Sequence, residues 1–571
     1  MSIEKQVEVE ELFSKTNLDR VVLNEVGHTD PRFLKSIFKI GTESDLDPMK
    51  AGQALWIEIL RDPKDHHIQS IASRLGMRLG FVGLEAAERG SQLLELCADQ
   101  DIYDIHLYPN RVIVKPRIKL SDDILDGINQ FQYMPPMLSE PQNWISNSKG
   151  GWLTFDKHVV LGKGNHHQEQ QDLETLNKLQ QIPWKMDVGV ITQFVSKERY
   201  KNDREVFARY FGEEFYFVWR FDKRGRMYSS GYNINLQSEQ FRRAALSFAQ
   251  AEPVTKEGIK WLKIAVANAF GHDKLTFDER VEWVDDQKEF DIADAKEEIF
   301  AWKYLNALQT ALDGESVNAN MFLDATASGI QIMAALSNCS QTAEFVNMNT
   351  YLRNDIYDAV TREMNGMLKK EDSVERSDVK KPVMTHYYNS IANPREHFNR
   401  AQLEAFYTVV RNAFPGAEDV MDSINSCWSD KSLFRWEMPD GHVVRIRAKQ
   451  TQMAQINYLG QTFQYAYTDY SSSGNGRHLA PNIIHSVDGW IAREMVKRAS
   501  FPLAHIHDAF TAHPNNMGAV CDLYRSILAE IAESDVLQDI LRQVTGNQRL
   551  VYRKLGKSLA SDIRKSVHML S

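Results

Sequence analysis

The stretch MFLDATASGIQIMAALS, residues 321–337, carries the reading on which the fold turns. Met321, Phe322 and Leu323 form a short apolar run that ends at Asp324, and after a small-residue turn Ile330, Met333, Ala334 and Leu336 recur at helical spacing. The pattern predicts strand, turn and helix. A second stretch, LAHIHDAFTAH over 503–513, predicts a strand, a tight turn at Asp508 and a returning strand. Taken singly, each aspartate is more often a turn former or a helix cap than a ligand. Taken together, two carboxylates at strand ends are a candidate pair for hard cations, because magnesium takes one or two carboxylates and keeps water and phosphate as its other ligands.

Between these stretches lies RSDVKKPVMTHYY, residues 376–388. Arg376 and Lys380 stand one helical turn apart and share a face, where they can grip a triphosphate, with Tyr388 two turns on. As an isolated match the segment reads equally as a solvated basic face followed by a core tyrosine. Pro382 predicts a break or kink in that helix. A further helix is expected over 355–368, with Ile356, Val360, Met364 and Met367 on one face. The chain up to about Leu120 reads as mostly helical, with Ile68, Ile71, Ala72 and Leu75 and then Leu93, Leu94 and Leu96 as apolar positions. Prolines and glycines punctuate the stretch from Met134 to Gly151, the expected end of an N-terminal domain.

At 571 residues the chain exceeds one ordinary core, and 43% hydrophobic with 25% charged residues is the composition of a globular protein. The net charge of −10 counts against a broadly basic nucleic-acid surface; such a partner would require positive charge confined to a cleft. Cys97, Cys339, Cys427 and Cys521 lie far apart, which argues against a disulfide framework or a cysteine-based zinc site and fits a reducing compartment. The pairs His66–His67 and His166–His167 are expected in exposed loops or helices, without the spaced partners zinc needs. No apolar stretch approaches the ~20 residues of a membrane span. The opening residues are acidic and lack an apolar signal core, so the cytoplasm of a cell, or of an infected one, is expected. Gly556-Lys557-Ser558 is a decoy, since a phosphate-binding P-loop needs glycine where Val551 stands.

Six ordered blocks make a resemblance plain. Asp324-x3-Ser328-Gly329-Ile330-Gln331 resembles motif A of the single-subunit RNA polymerases of phages and mitochondria, Arg376-x3-Lys380-x7-Tyr388 their motif B, and His507-Asp508-Ala509-Phe510 their motif C. DKRGRMY (222–228) is similar to the family's DxRGRxY segment, and KEGIKWLKIAVAN (256–268) and HSVDG (485–489) match two further blocks. The blocks run in the family's order from about Pro135 onward.

The resemblance implies a DNA-directed RNA polymerase that is mainly α-helical with an antiparallel β palm (α+β), in the shape of a right hand. The implied parts are an N-terminal domain (1–135), a linker and reduced thumb (136–215), the first part of the palm with an insertion (216–340), fingers (341–484) with a specificity hairpin at 458–478, and the rest of the palm (485–571). The family's two magnesium ions would be held by Asp324 and Asp508 with the backbone carbonyl of Ala325, His507 being the motif C neighbour. Lys380 would contact the nucleotide phosphates and protonate the departing pyrophosphate, while Arg376, Lys381 and Lys274 neutralise its charge. Tyr388 and His485 would sense the ribose 2′-hydroxyl, and Asp222 and Arg226 would lie beside the template strand. Gly329 occupies the position where related DNA polymerases carry an obstructing glutamate, so the sugar gate is open to ribose, and Ala509 stands where DNA polymerases typically place a glutamate directly after the motif C aspartate. The implied partners are double-stranded promoter and template DNA, NTPs and nascent RNA. A monomer without membrane association is expected, encoded by a phage and acting in the host cytoplasm, with room for an accessory factor.

Three departures stand out. Asn389 replaces the glycine that follows the motif B tyrosine, only a short segment separates Ile191 from Phe215 where relatives carry a long thumb, and the N-terminal region is short. Gln461 to His478 occupies the place of the promoter-reading hairpin in a truncated form. A DNA polymerase or primase-like enzyme of the same fold is the nearest alternative, and Gly329 and Ala509 speak against the former. A magnesium nuclease leaves Arg376 and Tyr388 unexplained, and a catalytically inactive DNA-binding subunit would not need Asp324, Lys380 and Asp508 together.

Overall fold

Short antiparallel strands and longer amphipathic helices alternate along the chain, an α+β arrangement. The structure, a computed structural model, describes residues 2–571 apart from 14–18, 20–22, 25–29, 61–64, 109–110, 119–133, 198–199, 201–202, 351–352, 388–391, 449, 459–460 and 470–477. The chain divides into two units. One comprises Ile3–Met134 with Arg447–Gly474, the other Pro135–Ile446 with Asn475–Ser571. Among the described residues no helix is long and apolar enough to cross a membrane.

The first unit packs the helices Pro31–Glu43, Pro48–Leu60, Ile68–Leu79 and Gly83–Leu96 around Leu55, Trp56, Ile59, Ile71, Leu75 and Leu94. The expected apolar positions Ile68, Ile71, Ala72, Leu75, Leu93 and Leu94 all lie in that core. His66 corrects an expectation: it is buried, because His66 and His67 add a short strand opposite Val114 and Ile113, which turns one ring inward and the other out. The same unit holds a ribbon of Gln450–Tyr458 paired with Gln461–Asp469, in register from Gln450↔Asp469 to Tyr458↔Gln461. The stretch 458–478 expected to hold a specificity hairpin overlaps the second arm of this ribbon, and its residues 459–460 and 470–477 fall outside the described residues.

Seven elements of the second unit position the site. Strand β1 (Met321–Asp324) leads into helix α1 (Ser328–Ser337). Helices α2 (Ile356–Met367) and α3 (Arg376–His386) follow, then α4 (Leu479–Arg498) and the strand pair β2 (Ala504–Ile506) and β3 (Ala509–Ala512). The sheet has the order β1-β3-β2, all antiparallel, with Met321 opposite Ala512 and Asp324 opposite Ala509. Met321, Leu323, Phe510 and Ala512 are buried, and α1 is buried along most of its length, so this sheet is anchored in the core on its apolar side.

Two local expectations are corrected here. Pro382 lies inside α3 rather than ending it; it shares the buried stripe with Val379 and Val383, and a capping box between Glu375 and Asp378 secures the helix start. Burial of that stripe thus outweighs a proline penalty of about 3 kcal/mol. In α2, Ile356, Val360 and Met364 are buried but Met367 is 53% exposed, because the helix ends there and its last residue passes beyond the packed face.

Candidate active site

The strand register decides the site. Asp324 ends β1, Asp508 lies in the turn between β2 and β3, and the Ala325 amide donates to the Asp508 carbonyl at 3.2 Å. Both turns are held in left-handed backbone by residues that have a side chain: Ala327 at φ 57° and His507 at φ 57°. Such conformations cost energy and persist only when the surroundings enforce them. Here the β1–β3 pairing and the hydrogen bonds between Asp324 and Ser571 (Asp324 N to Ser571 O, 3.2 Å; Ser571 N to Asp324 O, 2.9 Å) supply that enforcement.

Asp324, Ala325 and Asp508 line one cavity of 460 Å³ together with Lys274, Arg376 and Lys380. Burial of its surroundings and the charge of Asp508 push the Asp324 carboxyl up to about 6. A carboxylate raised by the charge of a second one is half of a donor pair whose repulsion a hard divalent cation would relieve. Six of the residues expected in the site are therefore brought together. The cavity also gathers residues that sequence reasoning did not single out: Arg243, Arg353, Asp355 and Tyr357. Asp355 carried a signal, standing just ahead of an amphipathic helix as a cap would; Arg243 and Arg353 carried none.

The cations are ordered by named partners. Asp355 Oδ2 accepts from Arg376 Nη2 at 2.8 Å and lies 2.5 Å from Lys274 Nζ. The Tyr357 ring lies 5.2 Å from the Arg376 guanidinium carbon and 5.9 Å from Lys380 Nζ, so the two basic residues of α3 do share a face. Lys380 has no carboxylate partner among the described ion pairs. The loop that bears Lys274 is held from behind by Arg280, which is fully buried and donates to the carbonyls of Leu275 and Asp273 and to Asn268 Oδ1, each at 2.9 Å. Asn268 ends the KEGIKWLKIAVAN block, which gives that block a structural reason.

A second cluster joins the DKRGRMY and HSVDG blocks. Asp222 Oδ1 accepts from the amides of Arg224 (2.8 Å) and Arg226 (3.1 Å), closing a turn in which Gly225 takes φ 83°. Helix α4 lies directly against that turn. A Cβ on Gly489 would meet the Gly225 carbonyl oxygen at 2.7 Å, so only glycine allows the approach. Arg226 Nε then reaches Asp488 at 2.8 Å, Arg224 contacts His485, and Arg493 Nη1 donates to the Gly225 carbonyl at 2.7 Å. Burial and the nearby Arg226 and Arg224 charges push His485 down to about 2, leaving it neutral at physiological pH. Burial likewise raises Asp488 to about 6 in spite of Arg226. His507 presents its ring edge-on to Tyr228 with centroids 5.1 Å apart.

The remaining expected residues lie elsewhere. Gly329 is the second residue of α1. Lys381 is exposed on α3 and does not line the cavity. Tyr388 and Asn389 fall outside the described residues.

The sequence model of the family described as DNA-dependent RNA polymerase matches residues 252–427 and 396–568. Among curated proteins, the mitochondrial DNA-directed RNA polymerase of Schizosaccharomyces pombe is 23% identical over 440 residues, covering 63% of this chain and 38% of the relative. DNA-directed RNA polymerase 2, chloroplastic/mitochondrial, of Arabidopsis thaliana is 24% identical over 556 residues, covering 73% and 54%. DNA-directed RNA polymerase 2B, chloroplastic/mitochondrial, of Nicotiana tabacum is 24% identical over 621 residues, covering 83% and 61%. The chain spans about half the length of these relatives.

Proposed function

We propose, from the premise that the chain belongs to the single-subunit, phage-type family of DNA-dependent RNA polymerases, that it copies a DNA template into RNA by nucleotidyl transfer from NTPs. The observation that carries this reading is the meeting of Asp324, Asp508, Lys274, Arg376 and Lys380 around one cavity, from four separate segments of the chain. Two carboxylates faced by three cations match a reaction in which a nucleoside triphosphate is held by charge and positioned rather than attacked by the protein.

Asp324 and Asp508 would bind two magnesium ions, with the carbonyl of Ala325 as a further oxygen donor. Magnesium in that place supplies activation of the attacking 3′-oxygen and neutralisation of the leaving pyrophosphate. Lys274 and Arg376 orient the triphosphate, with Lys381 adding positive charge at longer range. Lys380, without a carboxylate partner among the described ion pairs, is the candidate proton donor to the departing pyrophosphate. Tyr388 and the neutral His485 would sense the sugar, with Gly329 leaving space for its 2′-hydroxyl. Asp222 and Arg226 would sit beside the template strand. In this reading residues 216–340 and 485–571 form the palm and 341–484 the fingers, 136–215 a linker and reduced thumb, and 1–135 an N-terminal domain. The partners are double-stranded template and promoter DNA, NTPs and nascent RNA.

The test is synthesis on single-stranded template with each NTP or dNTP set and magnesium. RNA from NTPs is expected. Asp324→Asn and Asp508→Asn should each abolish it while DNA binding stays within a few-fold, and retained synthesis in either variant would refute the metal assignment. A DNA product would favour the same-fold DNA polymerase.

A further inference from the structure

Besides Asp324 and Asp508 the cavity is lined by three carboxylates that the polymerase chemistry does not call for, Asp273, Glu297 and Asp355, and among the described ion pairs Asp355 alone engages both Lys274 and Arg376. The side chain of Asp355 is only 10% exposed, and its two oxygens are divided between two tasks. Oδ1 accepts from the amides of Tyr357 (2.9 Å) and Asp358 (3.3 Å), which fixes the carboxylate to the start of α2. Oδ2 accepts from Arg376 Nη2 (2.8 Å) and Nε (3.3 Å) and lies 2.5 Å from Lys274 Nζ. Arg376 comes from α3 and Lys274 from a loop about a hundred positions earlier in the chain. Two cations from independent elements therefore converge on a single oxygen that a helix start holds in place. Two residues on, the Tyr357 ring packs against Arg376 and Lys380, so the first turn of α2 touches all three cations.

A helix cap needs only one acceptor oxygen, and serine or asparagine serves as well. The second oxygen of Asp355 is surplus to capping. Without it, Lys274 would keep only Asp273 (3.3 Å) and Arg376 only Asp358 (3.4 Å), two separate partners that do not draw the cations together, and a triphosphate would have to converge them as it binds. We propose that Asp355 is a positioning residue of the nucleotide cradle: it holds Lys274 and Arg376 converged before the triphosphate arrives, so that binding does not have to order them. The proposal rests on the reading of Lys274 and Arg376 as triphosphate ligands.

Asp355→Ser separates the two tasks, since serine caps the helix but cannot engage both cations. In steady-state RNA synthesis, Asp355→Ser should raise the KM for NTP about tenfold while kcat stays within about threefold. In an Arg376→Ala background the same change should add less than about threefold, because Lys274 is then the one cation left to Asp355 and there is no second one to converge it with. Asp355→Asn, which keeps a neutral acceptor, should fall between. A KM unchanged in Asp355→Ser would reduce Asp355 to a cap and overturn the proposal. So would a lowered KM, which would mean that Asp355 competes with the triphosphate, or full additivity with Arg376→Ala. If the wild-type chain makes no RNA, the polymerase reading fails separately. Binding of ATP with calcium, measured by calorimetry on wild type and Asp355→Ser, then decides: tenfold weaker binding in the variant supports the positioning role, and equal binding or none to either protein refutes it.

Discussion

Replacing Gly489 by alanine tests whether the approach of α4 to the Asp222–Arg226 turn matters to catalysis. The added Cβ would stand 2.7 Å from the Gly225 carbonyl oxygen, 2.8 Å from its carbonyl carbon and 3.0 Å from the Arg226 nitrogen. All three are backbone atoms, which no rotamer change can move. Carbon atoms pack best at about 3.5–4.0 Å, so the helix and turn must separate by roughly 0.7 Å or more. Overpacking of this kind costs about 1–3 kcal/mol, offset by about 1 kcal/mol because alanine is the better helix former. Net destabilisation should therefore be about 0–2 kcal/mol in urea unfolding, and the variant should fold. Activity should suffer more. The same separation pulls Arg226 from Asp488 and Arg224 from His485, beside the turn that carries Asp508, and displacements near 1 Å can cost about 10²-fold in rate. RNA synthesis should fall about 10- to 100-fold at a temperature where the variant is still fully folded. Gly366 is the matched control: it is also a helix glycine, in α2, but a Cβ there would meet nothing within 4 Å. Gly366→Ala should raise stability by about 0.5–1 kcal/mol and leave synthesis unchanged. Wild-type synthesis by a folded Gly489→Ala would show that the contact has slack and refute the reasoning.

Burial alone would raise the Asp440 carboxyl, but the Arg493 guanidinium beside it outweighs burial and holds it at about 2. Its pKa is thus lower folded than unfolded, so its stabilisation is complete above pH ~4 and is lost as pH falls from ~4 to ~2. Asp440→Asn takes from the fully buried Arg493 its nearest carboxylate, leaving Asp172 at 3.8 Å, and should cost about 3 kcal/mol at pH 7, with the gap to wild type narrowing below pH ~4; a gap that does not change with pH would contradict the pairing. Tyr388→Phe should relax discrimination against deoxynucleotides, measured as the ratio of kcat/KM for NTP and dNTP, and an unchanged ratio would remove that role from Tyr388.

What the sequence determined by itself was local: an apolar run of three ending in Asp324, helical spacing from Ile330 to Leu336, and a strand–turn–strand around Asp508 were readable because strand and helix periods are written in neighbouring residues. The six blocks pointed to the same chemistry. Tertiary structure decided what depends on register and on distant partners. Pairing Asp324 with Ala509 brings the two carboxylates to one cavity, whereas a slip by one residue would turn the alternating side chains to the opposite face. Asp355 looked like part of a helix start, and only the packing of that start against α3 and the Lys274 loop makes its second oxygen a clamp. Gly489 looked like a motif letter until the Gly225 backbone was found against it. His66 inside, Met367 outside and Pro382 within a helix have the same origin: which face is buried is settled by the element on the other side, and a local pattern does not contain that element.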